Sequence, residues 1–136
     1  VATYLCLNPI VAGFHNPYDG DQMRTAAFFQ DYVSDIVLPD VASKTEGSVL
    51  LHSHDQMAGG KISATAAAWG IPIVHSTHNS HDLWIINYSS LDQRLWDHLY
   101  VKNGFVLSHP TAIMNAARKL TVSRHFLEQL EKKRAC

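Results

Sequence analysis

The fold is decided by residues 48–79, SVLLHSHDQMAGGKISATAAAWGIPIVHSTHN. Two short apolar runs, residues 48–52 and residues 71–75, lie on either side of a segment rich in alanine, residues 56–69. Such runs are typical of strands that are buried on both faces of a parallel sheet. The segment between them predicts a tightly packed helix that is closed by Gly70. Strand, helix and strand in this order predict a βαβ unit.

The rest of the chain continues the alternation of strand-like and helix-like segments. Further elements are predicted as strands at residues 3–8 and 119–122 and as helices at residues 21–37, 111–118 and 124–134. Pro39 is expected to end the first of these helices, and Ser123 is expected to cap the last. The sequence therefore predicts one α/β domain over residues 1–136, with a Rossmann-like, mainly parallel sheet flanked by helices.

Two groups of large apolar side chains have an expected position. In the helix predicted at residues 21–37, Met23 and Phe29 belong to a series at three- and four-residue steps, which predicts a shared buried face. Trp69 and Trp96 also lie in segments with helical spacing and are expected in the core. Trp84 follows the histidine-rich region and is the candidate for stacking on a ligand.

Composition and missing motifs exclude several classes of function. A net charge of -1 provides no basic footprint for nucleic acid, and no stretch approaches the roughly 18 apolar residues that would indicate a membrane span. Cys6 and Cys136 belong to no metal-binding or disulfide-rich pattern, which favours a reducing, cytoplasmic setting. The sequence contains neither a glycine-rich phosphate loop nor a GxSxG nucleophile motif.

Polar side chains follow both strands of the predicted βαβ unit. The first strand leads into His54 and Asp55, and the second leads into His78 and Asn79. Ligands of open α/β sheets bind outside the carboxyl ends of the strands, so these four residues are expected in one crevice. Imidazole, carboxylate and amide groups donate and accept hydrogen bonds, which suits a polyhydroxylated ligand such as a sugar.

An alternative function arises from the nine histidines of the chain. A metal-dependent hydrolase would draw its ligands from the histidine-rich region, namely His52, His54, His75, His78 and His81, with Asp55 and Asp82. The HxHxDH pattern of dinuclear hydrolases is not matched, because residues 52–56 read HSHDQ. A structural interpretation also stands beside it, in which His52 and His75 are buried histidines with hydrogen-bond partners.

Four segments resemble the glycogen and starch synthase family of glycosyltransferases. Residues 51–59, LHSHDQMAG, resemble the family motif H-x-H-D-W-x-x-G, and residues 70–79, GIPIVHSTHN, are similar to G-x-P-x-V-x-T-x-H-N. Residues 16–32 look like the segment P-Y-x-D…RFAFFSRAA, and residues 117–130 look like Y-A-D-x-V-T-T-V-S-x-x-Y. The four segments occur in the family's order and together cover most of the chain.

The resemblance implies part of the N-terminal lobe of a two-lobed, B-type glycosyltransferase. Such enzymes transfer glucose from a nucleotide-glucose to an α-1,4-glucan with retention of configuration, and the transfer requires no metal or other cofactor. By resemblance, Asp55 and His78 face the transferred glucose, Tyr18 lines the acceptor side and Asn79 supports the His78 loop. His78 would also help to stabilise the oxocarbenium-like state.

Several family features are absent from this sequence. The K-x-G-G-L loop and the C-terminal lobe, with its nucleotide pocket and E-x7-E motif, are missing, and Gln56 replaces the tryptophan of H-x-H-D-W. The chain also begins with Val1 rather than methionine. The expectation is therefore an incomplete lobe that is inactive alone and that meets nucleotide-glucose and glucan together with a second lobe. A non-catalytic glucan-binding module is a further alternative.

Overall fold

The computed structural model describes Tyr4, residues 21–79 and residues 84–134. The helices in these ranges are α1 (Gln22–Tyr32), a π-helical segment (Val33–Val37), α2 (Leu38–Lys44), α3 (Gly60–Ala68), α4 (Ser108–Asn115) and α5 (Arg124–Arg134). Short 3₁₀ turns occupy Gln56–Ala58, Tyr88–Ser90 and Gln93–His98. The strands are β1 (Leu51–His54), β2 (Ile73–Thr77), β3 (Trp84–Asn87), β4 (Val101–Lys102), β5 (Phe105–Leu107) and β6 (Arg118–Thr121).

The central feature is a three-stranded parallel sheet in the order β1-β2-β6. Its register places Ser53 beside His75 and His75 beside Lys119. The prediction of an α/β fold with a parallel sheet flanked by helices is confirmed, while the strand predicted at residues 3–8 lies outside the described residues. A second sheet, antiparallel and in the order β3-β5-β4, was not part of the prediction.

Small side chains let α3 approach the parallel sheet and its neighbouring helix closely. Ala66 of α3 packs with Ile73 of β2 and with Ala116, and Leu51 and Ile71 surround this cluster. A second cluster joins α3 to the following segments through Ala64, Leu95, Leu99 and Val106. Removing a side chain such as that of Ile73 from water stabilises the fold by about 1.5–3 kcal/mol. The alanine-rich composition of α3 thus positions the loops at both of its ends.

Pro39 does not end the first helix, so this prediction is wrong. The chain passes from α1 through the π-helical segment into α2, and Pro39 lies in the first turn of α2. In the widened turn, the Leu38 N–H donates to the carbonyl of Val33, five residues earlier. A proline ring clashes with the carbonyl of a regular α-turn and lacks its N–H, and the wider π turn relieves this conflict.

The buried face of α1 and the π segment also differs from the predicted apolar face. Ala26 of the predicted face is buried as expected, but Met23 and Phe29 are exposed, and the polar Gln30 and Ser34 are buried. Gln30 is buried because its side chain donates to the Met57 carbonyl at 3.3 Å and accepts from the Lys61 N–H at 2.7 Å. Polar contacts with the turn before α3 therefore select the face that packs inward.

Strand ends and tryptophans show smaller differences from the predictions. The strands β1 and β2 begin later than residues 48 and 71, because pairing starts with Leu51 beside Ile73. Trp69 and Trp96, which were expected in the core, are both exposed, Trp69 by 48%. The predicted cap of α5 is confirmed, since the Ser123 hydroxyl accepts from the Phe126 N–H at 3.1 Å.

No helix in the described ranges is long and apolar enough to cross a membrane.

Candidate functional site

The carboxyl ends of β1 and β2 lie side by side and bring three predicted site residues together. His54 pairs with Ser76 in the register of the two strands, and the Asp55 N–H donates to the Ser76 carbonyl at 3.0 Å. Asp55 therefore follows β1 at the place where His78 and Asn79 follow β2. Tyr18, the fourth predicted site residue, lies outside the described residues.

The carboxylate of Asp55 holds the loop that follows β2. Its Oδ1 atom accepts hydrogen bonds from the backbone N–H of His78 at 2.6 Å and of Asn79 at 3.3 Å. Asp55 itself has φ of 54° and ψ of -169°. Only glycine adopts this backbone region readily, and another residue is held there at a cost of about 1–3 kcal/mol. The fold thus maintains a strained conformation that directs this carboxylate to the loop.

Three exposed imidazoles form a row beside this loop. The Nδ1 atom of His54 lies 3.0 Å from Nε2 of His78, so one nitrogen donates and the other accepts. The rings of His52 and His54 lie 4.3 Å apart between centroids, and His52 Nε2 lies 2.9 Å from the Ser76 hydroxyl. Alternation along β1 places His52 and His54 on one side of the sheet. The row provides donors and acceptors on an open surface.

The opposite side of the sheet carries a buried chain of polar groups. The Ser53 hydroxyl lies 2.8 Å from His75 Nδ1, and His75 Nε2 lies 3.3 Å from Nδ1 of His109 on α4. His75 is fully buried, and its burial, with repulsion by His109 as the second cause, lowers the pKa of His75 to about 4. His75 is therefore neutral near pH 7. Both hydrogen bonds fix the orientation of its ring.

The structural interpretation of the two strand histidines is confirmed for one of them. His75 is buried and hydrogen-bonded, whereas His52 is hydrogen-bonded but exposed. His109 was not among the residues predicted to lie near His75. A buried imidazole requires a second polar partner, but nothing in the sequence indicates which residue of a distant helix provides it.

The geometry gives no support to the metal alternative. Among the residues that the structure describes, no group of three or more histidine, cysteine or acidic side chains is arranged to hold a metal ion. His52 and His75 direct ring nitrogens to protein partners instead. His81 and Asp82 lie outside the described ranges.

Comparisons with protein-family models, with curated proteins and with solved structures find no match to this chain. The fold and the site together define an α/β domain with a polar site at the carboxyl ends of its parallel strands. The resemblance to glycogen and starch synthases is based on the sequence motifs alone.

Proposed function

We propose that the loops after β1 and β2 form the sugar-facing wall of a retaining glucosyltransferase of the glycogen and starch synthase type. Such an enzyme transfers glucose from a nucleotide-glucose to an α-1,4-glucan. The observation that carries the proposal is the clamp between the Asp55 carboxylate and the backbone N–H groups of His78 and Asn79. It joins two of the four segments on which the resemblance depends.

The clamp fixes the backbone of His78 and Asn79 relative to Asp55. A site that is ordered before binding avoids the entropic cost of ordering loops on association. The exposed imidazoles of His54 and His78 then provide directional hydrogen bonds of the kind that sugar hydroxyls require. Asp55 has a positioning role in this arrangement, in addition to its expected role as an acceptor for glucose hydroxyls.

Transfer also requires groups that stabilise the phosphates of the donor. Positive charges or backbone donors directed at the developing charge are the usual solution, and the sequence contains no phosphate-binding loop. The proposed role of these residues is therefore to bind and orient sugar. Donor binding belongs to the second lobe that the resemblance implies.

Two substitutions of Asp55 separate its positioning role from its expected role as an acceptor for glucose hydroxyls. In Asp55→Ala the loop loses both acceptor contacts, so amide exchange at His78 and Asn79 is expected to accelerate and affinity for maltotetraose to fall at least about tenfold. In Asp55→Asn the side-chain oxygen still accepts, and the side chain keeps its size and shape at the same strained backbone position. Most of the slow exchange and a larger share of the affinity should remain.

Amide NMR titration of the metal-stripped protein with maltotetraose, together with hydrogen exchange, measures both effects. Glu46→Ala is the matched control, because Glu46 is an exposed carboxylate in the segment before β1, which leads to the amino end of the sheet. Saturable shifts at residues 54–55 and 78–79 that disappear in Asp55→Ala support the proposal. Equal affinity in Asp55→Ala and the unsubstituted protein, or no saturable shift in that region, contradicts it.

A turnover assay tests the transferase part of the proposal separately. UDP-glucose and ADP-glucose are offered as donors with a maltotetraose acceptor, and chain extension is measured after addition of candidate C-terminal lobes. Extension that depends on Asp55 supports a transferase. Saturable glucan binding that is never accompanied by extension favours the non-catalytic glucan-binding module instead.

A further inference from the structure

A second cleft is lined by residues of α3, of the π-helical segment and of the chain around residues 90–98. Its volume is about 540 Å³, within the range of about 300–1,000 Å³ that is usual for small-molecule sites. The floor is one face of α3 and includes Lys61, Thr65 and Trp69. One wall is the π-helical segment, and the other is formed by residues 90–98. None of its lining residues belongs to the strand-end site.

The charged groups at this cleft already have partners of opposite charge. Lys61 Nζ lies 2.9 Å from Asp35 Oδ2 on the π segment and 2.8 Å from Asp31 Oδ1. Burial alone would lower the pKa of Lys61, but the hydrogen bonds that Lys61 donates to these carboxylates outweigh the burial and raise that pKa. On the facing wall Arg94 pairs with Asp92 at 2.6 Å, which lowers the pKa of Asp92 to about 2. An ionic ligand would compete with these pairs, so the cleft favours an uncharged one.

Two neutral hydroxyls at the cleft lack hydrogen-bond partners. Ser34 is 2% exposed and Thr65 is 6% exposed, and both line the cleft. Neither Ser34 Oγ nor Thr65 Oγ1 has a partner among the described residues. A buried hydroxyl without a partner destabilises the folded protein, because it has lost its hydrogen bonds to water. A ligand hydroxyl that meets one of these groups after a side-chain rotation restores the missing hydrogen bond.

Trp69 provides the apolar surface that complements these polar groups. It ends α3 and lines the cleft, and nearly half of its surface is exposed instead of being buried in the core. Aromatic rings combine a large apolar face with little loss of conformational freedom on binding. The face of a pyranose ring is lined by C–H groups while its edge carries hydroxyls. One such ring can therefore use Trp69 and the two hydroxyls together.

The geometry points to a second binding site in this cleft, for an uncharged hexopyranose that packs on Trp69 and hydrogen-bonds with Ser34 and Thr65. This inference is independent of the proposed function, because it uses only the groups of the cleft. The π-helical segment contributes Ser34 and Asp35, and π turns inside helices are frequent at functional sites.

Amide NMR titration of the full chain with maltose locates the binding, and tryptophan fluorescence follows it independently. Saturable shifts are expected at residues 34–35, 65 and 69. Thr65→Val removes one hydroxyl at nearly constant volume, and it should weaken binding about tenfold. The same substitution should leave the melting temperature unchanged or raise it, because an unpaired buried hydroxyl is removed. A merely structural role of Thr65 would not produce weaker binding together with an unchanged or higher melting temperature.

Trp69→Leu is a second variant, and Thr45→Val is the matched control. Trp69→Leu should also weaken binding about tenfold or more, whereas Thr45, which does not line the cleft, should have no effect. Adenosine is titrated as an uncharged ring of a different class, and saturable shifts with adenosine but not maltose overturn the sugar assignment. Maltose shifts confined to residues 54–55 and 78–79 overturn this site while supporting the strand-end site. Unchanged affinity in Thr65→Val and Trp69→Leu also overturns it.

Discussion

Lowering the pH from about 6.5 to about 4.5 is expected to destabilise the folded protein through His75. Its folded-state pKa is lowered to about 4, chiefly by burial and next by His109, with Asp55 acting weakly in the opposite direction. In the unfolded chain the imidazole binds a proton below about pH 6.5. Between these values the unfolded state therefore binds more protons, and stability falls as the pH falls. The loss approaches about 2–3 kcal/mol near pH 4.5 and levels off below about pH 4.

Urea unfolding at several pH values across this window measures the effect. His75→Gln keeps a group that can hydrogen-bond with Ser53 but cannot titrate, so its stability should depend less steeply on pH. His125→Gln is the matched control, because His125 is exposed and forms a hydrogen bond with Gln129 within α5. The control should retain the slope of the unsubstituted protein. Equal slopes in His75→Gln and the unsubstituted protein would show that His75 is not the group responsible.

The sequence was sufficient to predict how the strand-end residues come together. Parallel strands joined by a helix end at the same edge of a sheet, so Asp55 and the His78 loop had to be neighbours once the βαβ unit was recognised. That inference needs only the order of elements. The hydrogen bonds could not be predicted in the same way, because they depend on a backbone conformation of Asp55 that disfavours most residues.

The sequence was insufficient where polar tertiary contacts decide which side chains are buried. The apolar spacing of α1 favoured Met23 and Phe29, yet the buried position is taken by Gln30, whose amide bridges the Met57 carbonyl and the Lys61 N–H. Those partners lie 27 and 31 residues away in the sequence. Periodicity detects a face of a helix but not a distant turn that presents unpaired backbone groups to it.

A similar limit explains the error at Pro39. The rule that a proline ends a helix assumes regular α-helical turns before it. The π-helical segment changes that spacing locally, and no residue type in Val33–Val37 indicates it. The same segment then supplies Ser34 and Asp35 to the second cleft. The unpredicted irregularity and the unpredicted cleft therefore have one structural origin.

Gly59→Ala is expected to destabilise the protein by about 3 kcal/mol. Overpacking of this kind usually costs about 1–3 kcal/mol, and the upper value applies here because the added methyl group meets backbone atoms. A Cβ atom at Gly59 would lie 2.5 Å from the Ser108 carbonyl oxygen and 2.6 Å from its hydroxyl oxygen. The Ser108 hydroxyl in turn donates to the Gln56 carbonyl. This contact joins the start of α4 to the turn between β1 and α3, so neither side can move independently.

Gly60→Ala should be comparably harmful for a different reason. Gly60 has φ of 52°, and its Cβ would collide with the Gln30 side-chain oxygen that accepts from the Lys61 N–H. The left-handed conformation alone costs an alanine about 1–2 kcal/mol. Gly104→Ala isolates that cost, because Gly104 has φ of 81° and nothing lies within 4 Å of the added atom.

Gly47→Ala completes the comparison, since Gly47 has neither a positive φ nor a neighbour within 4 Å. This substitution should be neutral or stabilise by about 0.4–1 kcal/mol, because alanine restricts the unfolded chain. Urea unfolding of the four variants should therefore rank Gly59→Ala and Gly60→Ala below Gly104→Ala, with Gly47→Ala the most stable. A Gly59→Ala variant as stable as Gly47→Ala would mean that α4 does not pack on the turn after β1. The packing that holds Asp55 beside His78 would then need a different explanation.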